Sequence, residues 1–209
     1  MNLIALIKSG GPVVIVLIAL SMIALALTIV KIWQFFQAGV GRHGNIATAV
    51  KSVLEGRHED ASRALSGRLS PAARVLRHTI ANAPRFGGNA DAAREDALRV
   101  SQDELRDMRR YLRGVEVIAQ SAPLLGLLGT VIGMIQAFSQ LEAAGAVVDP
   151  SRLAGGIWTA LLATALGLAI AIVFSIAGAW LEGRVDNERS VMETTLSGYF
   201  ASLGSAQSR

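Results

Sequence analysis

An all-α integral membrane protein with three transmembrane helices is the fold class this sequence predicts, on three observations. Residues 13–36, 117–141 and 153–181 form apolar runs, each long enough to cross a bilayer, which takes about 20 residues at about 1.5 Å each. Hydrophobic residues make up 52% of the 209, yet aromatics only 5%, and there are 21 glycines; small and aliphatic residues of this kind let helices approach closely in lipid. Charged residues are concentrated between the first and second runs and after the third.

Residues 1–12 carry Leu3, Ile4, Leu6 and Ile7 and read as a short interfacial helix before the first span. Pro12 suits the first turn of the helix that follows. Run one is interrupted only by Lys31 and Gln34 near its end. It is too long for the apolar part of a secretion signal and lacks a clear small-residue cleavage site, so it reads as transmembrane helix 1.

Residues 37–116 form a polar region rich in arginine, with Arg109, Arg110 and Arg113 at the border of span two. The hairpin at 142–152 carries Arg152 against Glu142 and Asp149. The positive-inside rule places the basic region in the cytoplasm, the N-terminus and hairpin outside, and the C-terminal helix, 182–209, inside. For a bacterial chain this means a multi-pass inner-membrane protein with a periplasmic N-terminus and a cytoplasmic C-terminus. The arginines are interleaved with Asp and Glu and have no aromatic platform, which argues against nucleic acid as a partner.

The cytoplasmic region reads as helical. Helical spacing covers 44–54 and 59–65, Ser70-Pro71 reads as an N-cap with proline at the first helical position, and 84–88 is a break. From Asp91, Leu98, Leu105 and Leu112 recur every seven residues, with Met108 and Val115 between, predicting an amphipathic helix that runs without a breaker into span two. Leu181, Val185, Met192, Leu196, Tyr199 and Leu203 predict a similar extension of span three. Trp158 and Trp180 bracket that span, about 33 Å apart on a helix, and Trp favours membrane interfaces.

The interiors of spans two and three contain no Asp, Glu, Lys, Arg or His. A membrane proton carrier needs a titratable group. Either the chain moves no protons or a partner supplies the carboxylate. What the spans carry is hydroxyls on faces of small residues: Gly126, Gly129, Thr130, Gly133 and Ala137 in span two, and Gly156, Ala160, Ala163, Thr164, Gly167 and Ala171 in span three. Thr130 and Thr164 each lie eleven residues from the hairpin end of their span, so in antiparallel helices both sit about 16 Å from the outer face. Two readings stand: the threonines line a functional path, or they bond their own helix carbonyls and permit close packing. Pro123 would kink span two and free a carbonyl, or is an ordinary membrane-helix proline.

Disulfides and thiolate metal sites are excluded by the absence of Cys. No nucleophile–base pair, metal-ligand cluster or phosphate loop supports an enzyme or a cofactor, and His43, His58 and His78 fall in the polar region and read as solvated.

The segments Ser121-Ala-Pro-Leu-Leu-Gly-Leu-Leu-Gly-Thr-Val-Ile-Gly-Met-Ile-Gln-Ala-Phe138 and Gly156-Ile-Trp-Thr-Ala-Leu-Leu-Ala-Thr-Ala-Leu-Gly-Leu168 resemble the signatures of the MotA/TolQ/ExbB proton-channel family. The layout of one span, a large cytoplasmic segment and two spans joined by a short hairpin is also similar, closest to ExbB, with TolQ next; MotA resembles a four-span layout. The resemblance implies a homo-oligomeric ring, a pentamer in better understood members. The ring would surround the single span of an ExbD-like or TolR-like partner, whose membrane Asp takes up protons. Energy would pass to a TonB-like or TolA-like protein. It implies a proton path past Thr130 and Thr164, with Thr159 nearby, and contact with the partner helix at Gly126, Gly129, Gly133, Ala160, Gly167 and Pro123. One departure stands out: many ExbB and TolQ sequences have Glu at the position of Thr159, which leaves a non-conducting scaffold of the same architecture as an alternative.

Overall fold

The computed structural model describes residues 11–55, 57–65, 70–144 and 150–207, and all the regular structure among them is helical. The expected interfacial helix at 1–7 and the centre of the hairpin lie outside the described residues. The helices are α1 (Gly11–Gln37), α2 (Gly44–Leu54), α3 (His58–Ala64), α4 (Pro71–Asn82), α5 (Ala90–Arg109), α6 (Leu112–Ala144) and α7 (Pro150–Gln207), with a single 3₁₀ turn at Ala83–Phe86. Three stretches, Gly11–Gln37, Leu112–Glu142 and Leu153–Ser202, are long and apolar enough to cross a membrane. This is the expected all-α, three-span membrane fold.

The chain divides into two compact units. The first holds residues 11–30 of α1, all of α6, and α7 as far as Ala179. Leu17 and Ala24 of α1 pack there on Val115, Ile118, Ala119 and Ala122 of α6 and on Ile170 and Phe174 of α7. The opposite faces leave Met22, Leu25, Ile29, Leu124, Leu127, Ile172 and Ile176 exposed. Water would penalise so much exposed apolar area; hydrocarbon does not.

The second unit holds Lys31–Arg110 and the part of α7 from Trp180. Its core gathers Ile46, Ala49, Val53, Ala61, Leu65, Val75 and Leu76 around Met192, Leu196 and Tyr199 of α7. The expected stripe on α7 is the buried one: Leu181, Val185, Met192, Leu196 and Tyr199 are each 5% exposed or less, while the side chain of Leu203 lies outside the described set. Ser70 caps α4 as expected, its Oγ accepting from the Ala73 N–H at 3.2 Å with Pro71 following. The break at 84–88 is the 3₁₀ turn, closed by Gly87 at φ 57°.

Two expectations change. The stripe from Asp91 into span two is divided, because α5 ends at Arg109 and Tyr111 turns the backbone to φ 70° before α6 begins. A left-handed tyrosine costs about 1–2 kcal/mol and carries no signature in sequence. Of the expected stripe, Leu98 is exposed, Leu105 is half-buried against the core, and Met108, Leu112 and Val115 are buried, with Ala93, Ala97 and Ser101 completing the buried face of α5. Small residues face in because α4 lies close, with Ala72, Ala73 and Val75 buried in the same unit. The second change concerns the histidines. His43 Nε2 lies 2.8 Å from Glu188 Oε1 and His78 Nε2 lies 2.8 Å from Asp96 Oδ2, so neither is simply solvated. The side chain of His58 lies outside the described set.

Candidate functional site

In the first unit α6 and α7 run antiparallel with almost nothing between their backbones. Hypothetical Cβ atoms measure the approach. One on Gly129 would lie 2.6 Å from Ala163 Cβ, one on Gly133 2.8 Å from Ala160 Cβ, and one on Gly156 2.7 Å from Ala137 Cβ. On Gly167 it would meet the Ala122 carbonyl oxygen at 2.5 Å, and on Gly126 the Ala163 oxygen and Thr164 Cα at 3.0 Å. The glycines and alanines singled out in the sequence are therefore the seam between α6 and α7 of one chain. Gly129 also faces Val13 of α1.

Pro123 lies inside α6, directly after Ala122, whose carbonyl meets Gly167. Proline removes the N–H that would reach back four residues, so the helix ladder is weakened where α7 comes closest. α6 nevertheless continues through it.

Thr164 Oγ1 donates to the Gly126 carbonyl oxygen at 2.9 Å, across the seam. Thr130 Oγ1 donates within its own helix to Leu127 O at 2.6 Å, and Thr159 Oγ1 to Gly155 O at 3.0 Å. Each hydroxyl has one proton, and each spends it on a backbone carbonyl. Toward a neighbour all three can offer lone pairs only.

Thr164 lies against Gly126, one turn of α6 from Thr130, while Ala163 meets Gly129. The structure does not bring Thr159 to them. Five residues separate Thr159 from Thr164, about 140° around a helix. Thr130 lines a largely apolar groove with Val131, Met134, Ile135 and Phe138 that ends on Ser139 and Glu142, whereas Thr159 lines a polar cleft with Gln136 and Gln140.

The structure adds four polar groups to those the sequence singles out. Gln136 lies in the first motif segment and Gln140 just beyond it. Glu188, in the second unit, is fully buried on the apolar stripe of α7. Its Oε1 accepts from the Gly41 N–H at 2.7 Å and faces His43 Nε2, and its Oε2 accepts from the Ala72 N–H at 3.2 Å. Ala72 sits in the first turn of α4, where helix amides favour an anion. The signal was available: 181, 185, 188 and 192 are consecutive positions on one helical face. Lys31 is similar, 1% exposed on the line of Ala24 and Thr28. Its Nζ donates to the Asp107 carbonyl in the last turn of α5 and to Gln34 Oε1, both at 3.0 Å, so it satisfies a terminal carbonyl of a broken helix.

No group of three or more His, Cys, Asp or Glu that could hold a metal ion occurs among the described residues. Three apolar helices and a glycine seam define a helical membrane protein. The chain belongs to the MotA/TolQ/ExbB proton channel family, whose model matches residues 69–194. It is 31% identical over 188 residues to a putative biopolymer transport protein ExbB homolog of Methanothermobacter thermautotrophicus, covering 89% of this chain and 65% of that one. It is 32% identical over 171 residues to a putative biopolymer transport protein ExbB-like 1 of Synechocystis, covering 78% and 64%. With the biopolymer transport protein exbB1 of Vibrio cholerae it shares 40% identity over 89 residues, 42% of this chain and 39% of that one. The match thus spans slightly less than two thirds of the length of the first two relatives.

Proposed function

We propose that this chain is an ExbB-like stator subunit of a proton-driven motor, assembled as a closed homo-oligomer, a pentamer by analogy with the family, in a bacterial inner membrane. One observation carries the reading. The chain belongs to a proton-channel family, yet spans two and three have no ionisable residue in their interiors. The titrating group then has to come from a second protein, an ExbD-like or TolR-like single span with a membrane Asp. The motor's work would pass to a TonB-like protein, or to a TolA-like one in the alternative Tol-type service. The role is mechanical and electrostatic rather than enzymatic.

The hydroxyl geometry supports a division of labour. A carboxylate in hydrocarbon is costly by several kcal/mol. The protonated acid is a hydrogen-bond donor, and Thr130 and Thr164 present acceptors about one helical turn apart along the seam. They suit the neutral acid as it passes, and a hydroxyl must turn away from its carbonyl to serve the charged form. The reading keeps the N-terminus and hairpin outside and the C-terminus inside, from the arginine asymmetry.

The test is proton flux into liposomes. Protein reconstituted alone should pass no protons above background. Protein reconstituted with a single-span Asp partner should do so, and Asp→Asn in that partner should abolish it. Flux from this chain alone would overturn the reading. Intact complexes without flux would favour the non-conducting scaffold, to which Thr159 in place of Glu already points.

A further inference from the structure

We infer that Arg42 and Arg184 form a site for the phosphate of an anionic lipid, at the end of the first and third spans where the arginine-rich region begins. A tight turn follows α1, in which the Val40 N–H donates to Phe35 O at 3.1 Å and the Arg42 N–H to Gly39 O at 3.0 Å. The Gly41 N–H donates to Glu188 Oε1 at 2.7 Å, which fastens this turn to α7 one helical turn beyond Arg184. Gly41 has φ 87°, and a Cβ on it would lie 3.1 Å from Arg184 Nη1. The bare glycine lets the guanidinium lie against the turn. The same guanidinium lies 5.1 Å from the centre of the Trp180 ring, at cation–π range. Arg184 is thus positioned, yet it is exposed and no carboxylate pairs with it among the described residues. Glu188 does not serve it, since its oxygens face Gly41, His43 and Ala72. Arg42, next to Gly41, is exposed and has no ion pair among the described residues either. Two guanidiniums with open donors at one turn suit phosphate oxygens, which they bind in forked geometry.

The surroundings select a lipid over a free anion. Trp33 and Phe36, in the last two turns of α1, are 64% and 75% exposed, and Trp180 is half exposed. Aromatic side chains of this kind settle at headgroup level. Assembly into a ring leaves this face open, because α1 buries only the narrow line of Val14, Leu17, Ala24, Thr28, Lys31 and Phe35 and shows apolar side chains on its remaining sides. That is the surface of a helix on the outer rim of an assembly. On the orientation proposed above the site faces the cytoplasmic leaflet, whose anionic lipids attract basic side chains.

Trp180 is its own reporter. Trp33→Phe and Trp158→Phe together leave it as the single tryptophan. The protein is reconstituted in phosphatidylcholine bilayers, with assembly checked by size. Phosphatidylglycerol with a nitroxide near the head of one chain is compared with phosphatidylcholine labelled in the same way. The charged lipid should compete for the site at least about fivefold better, as read by quenching of Trp180. Arg42→Gln with Arg184→Gln should bring that ratio to about one. Arg113→Gln removes the same charge at the border of span two and should leave the ratio unchanged. Equal quenching by the two lipids, or an equal fall in Arg113→Gln, would overturn the site. Millimolar inorganic phosphate should have no effect; a ratio that it erases would mean a free-anion site and sink the lipid assignment. A folded Arg184→Gln protein that no longer assembles would show that Arg184 pairs with a neighbouring copy, which also overturns it. Arg42→Gln alone, on an exposed turn, should lower the ratio and keeps the test open if the double variant does not fold. No partner helix and no proton gradient is needed, so the result stands or falls separately from the motor reading.

Discussion

Thr164 gives its hydroxyl proton to the carbonyl of Gly126, a bond that joins two membrane helices where their backbones touch. Thr130, one turn of α6 from Gly126, bonds only within its own helix. The two threonines should therefore separate in their effects. Thr164→Val should lower the stability of the detergent-solubilised protein by about 1 kcal/mol, while Thr130→Val should leave it nearly unchanged. Both should lose proton-dependent work when paired with an Asp-bearing partner. Thermal unfolding beside liposome flux checks both halves. Normal flux in the double Val variant would show that the threonines only pack.

The seam predicts which glycines tolerate a methyl group. Gly167→Ala would push Cβ to 2.5 Å from the Ala122 carbonyl oxygen, against backbone that cannot rotate away. It should cost about 1–3 kcal/mol and reduce assembly. Gly178→Ala meets nothing within 4 Å and should be neutral or stabilise by up to about 1 kcal/mol through helix propensity. Equal behaviour of the two variants in a melting assay would contradict the observed packing.

Glu188 should be among the most sensitive residues of the second unit. Glu188→Ala strands two backbone amides and His43 at a fully buried position and should cost about 3–5 kcal/mol. Glu188→Gln keeps the shape but offers one of the two oxygens as a donor, so it should fall between. A double-mutant cycle with His43→Ala should return a clear coupling energy. Additive losses would mean that His43 is a bystander.

Asp96 accepts from Arg99 Nη2 at 2.7 Å and lies beside His78, and these two hold its carboxyl below the usual range. A carboxylate with a depressed folded-state pKa adds stability that is complete above its unfolded pKa, about 3.9, and lost as pH falls through the folded value. Asp96→Asn should therefore match the parent in strong acid, fall progressively below it as pH rises toward about 4, and keep a constant deficit above that. Denaturation followed across that range measures the difference. Parallel pH curves for parent and variant would rule the linkage out.

Much of the cytoplasmic region was legible because its signals are local. Ser70 before Pro71 caps α4, and the 181–199 stripe reads directly as a buried helical face. Locality also explains the misses. No nearby residue announces that Tyr111 must take φ 70°, or that Ala93 and Ala97 rather than Leu98 line the buried side of α5. Lys31 and Glu188 interrupt apolar faces in plain sight, but their partners, the Asp107 carbonyl and the amides of Gly41 and Ala72, are 76 to 147 residues away.

By itself the sequence determined the all-helical class, the three spans and the family, because length, hydrophobicity and motif depend on residues close together in the chain. Counting residues also set the expectation that Thr130 and Thr164 lie near one depth. Only the tertiary structure decided where each hydroxyl proton goes, and that Thr159 faces Gln136 and Gln140 rather than the other threonines. The reason is rotational. Depth along a helix is a sum of rises and can be counted, whereas the direction a side chain faces has meaning only once a second helix is packed against it.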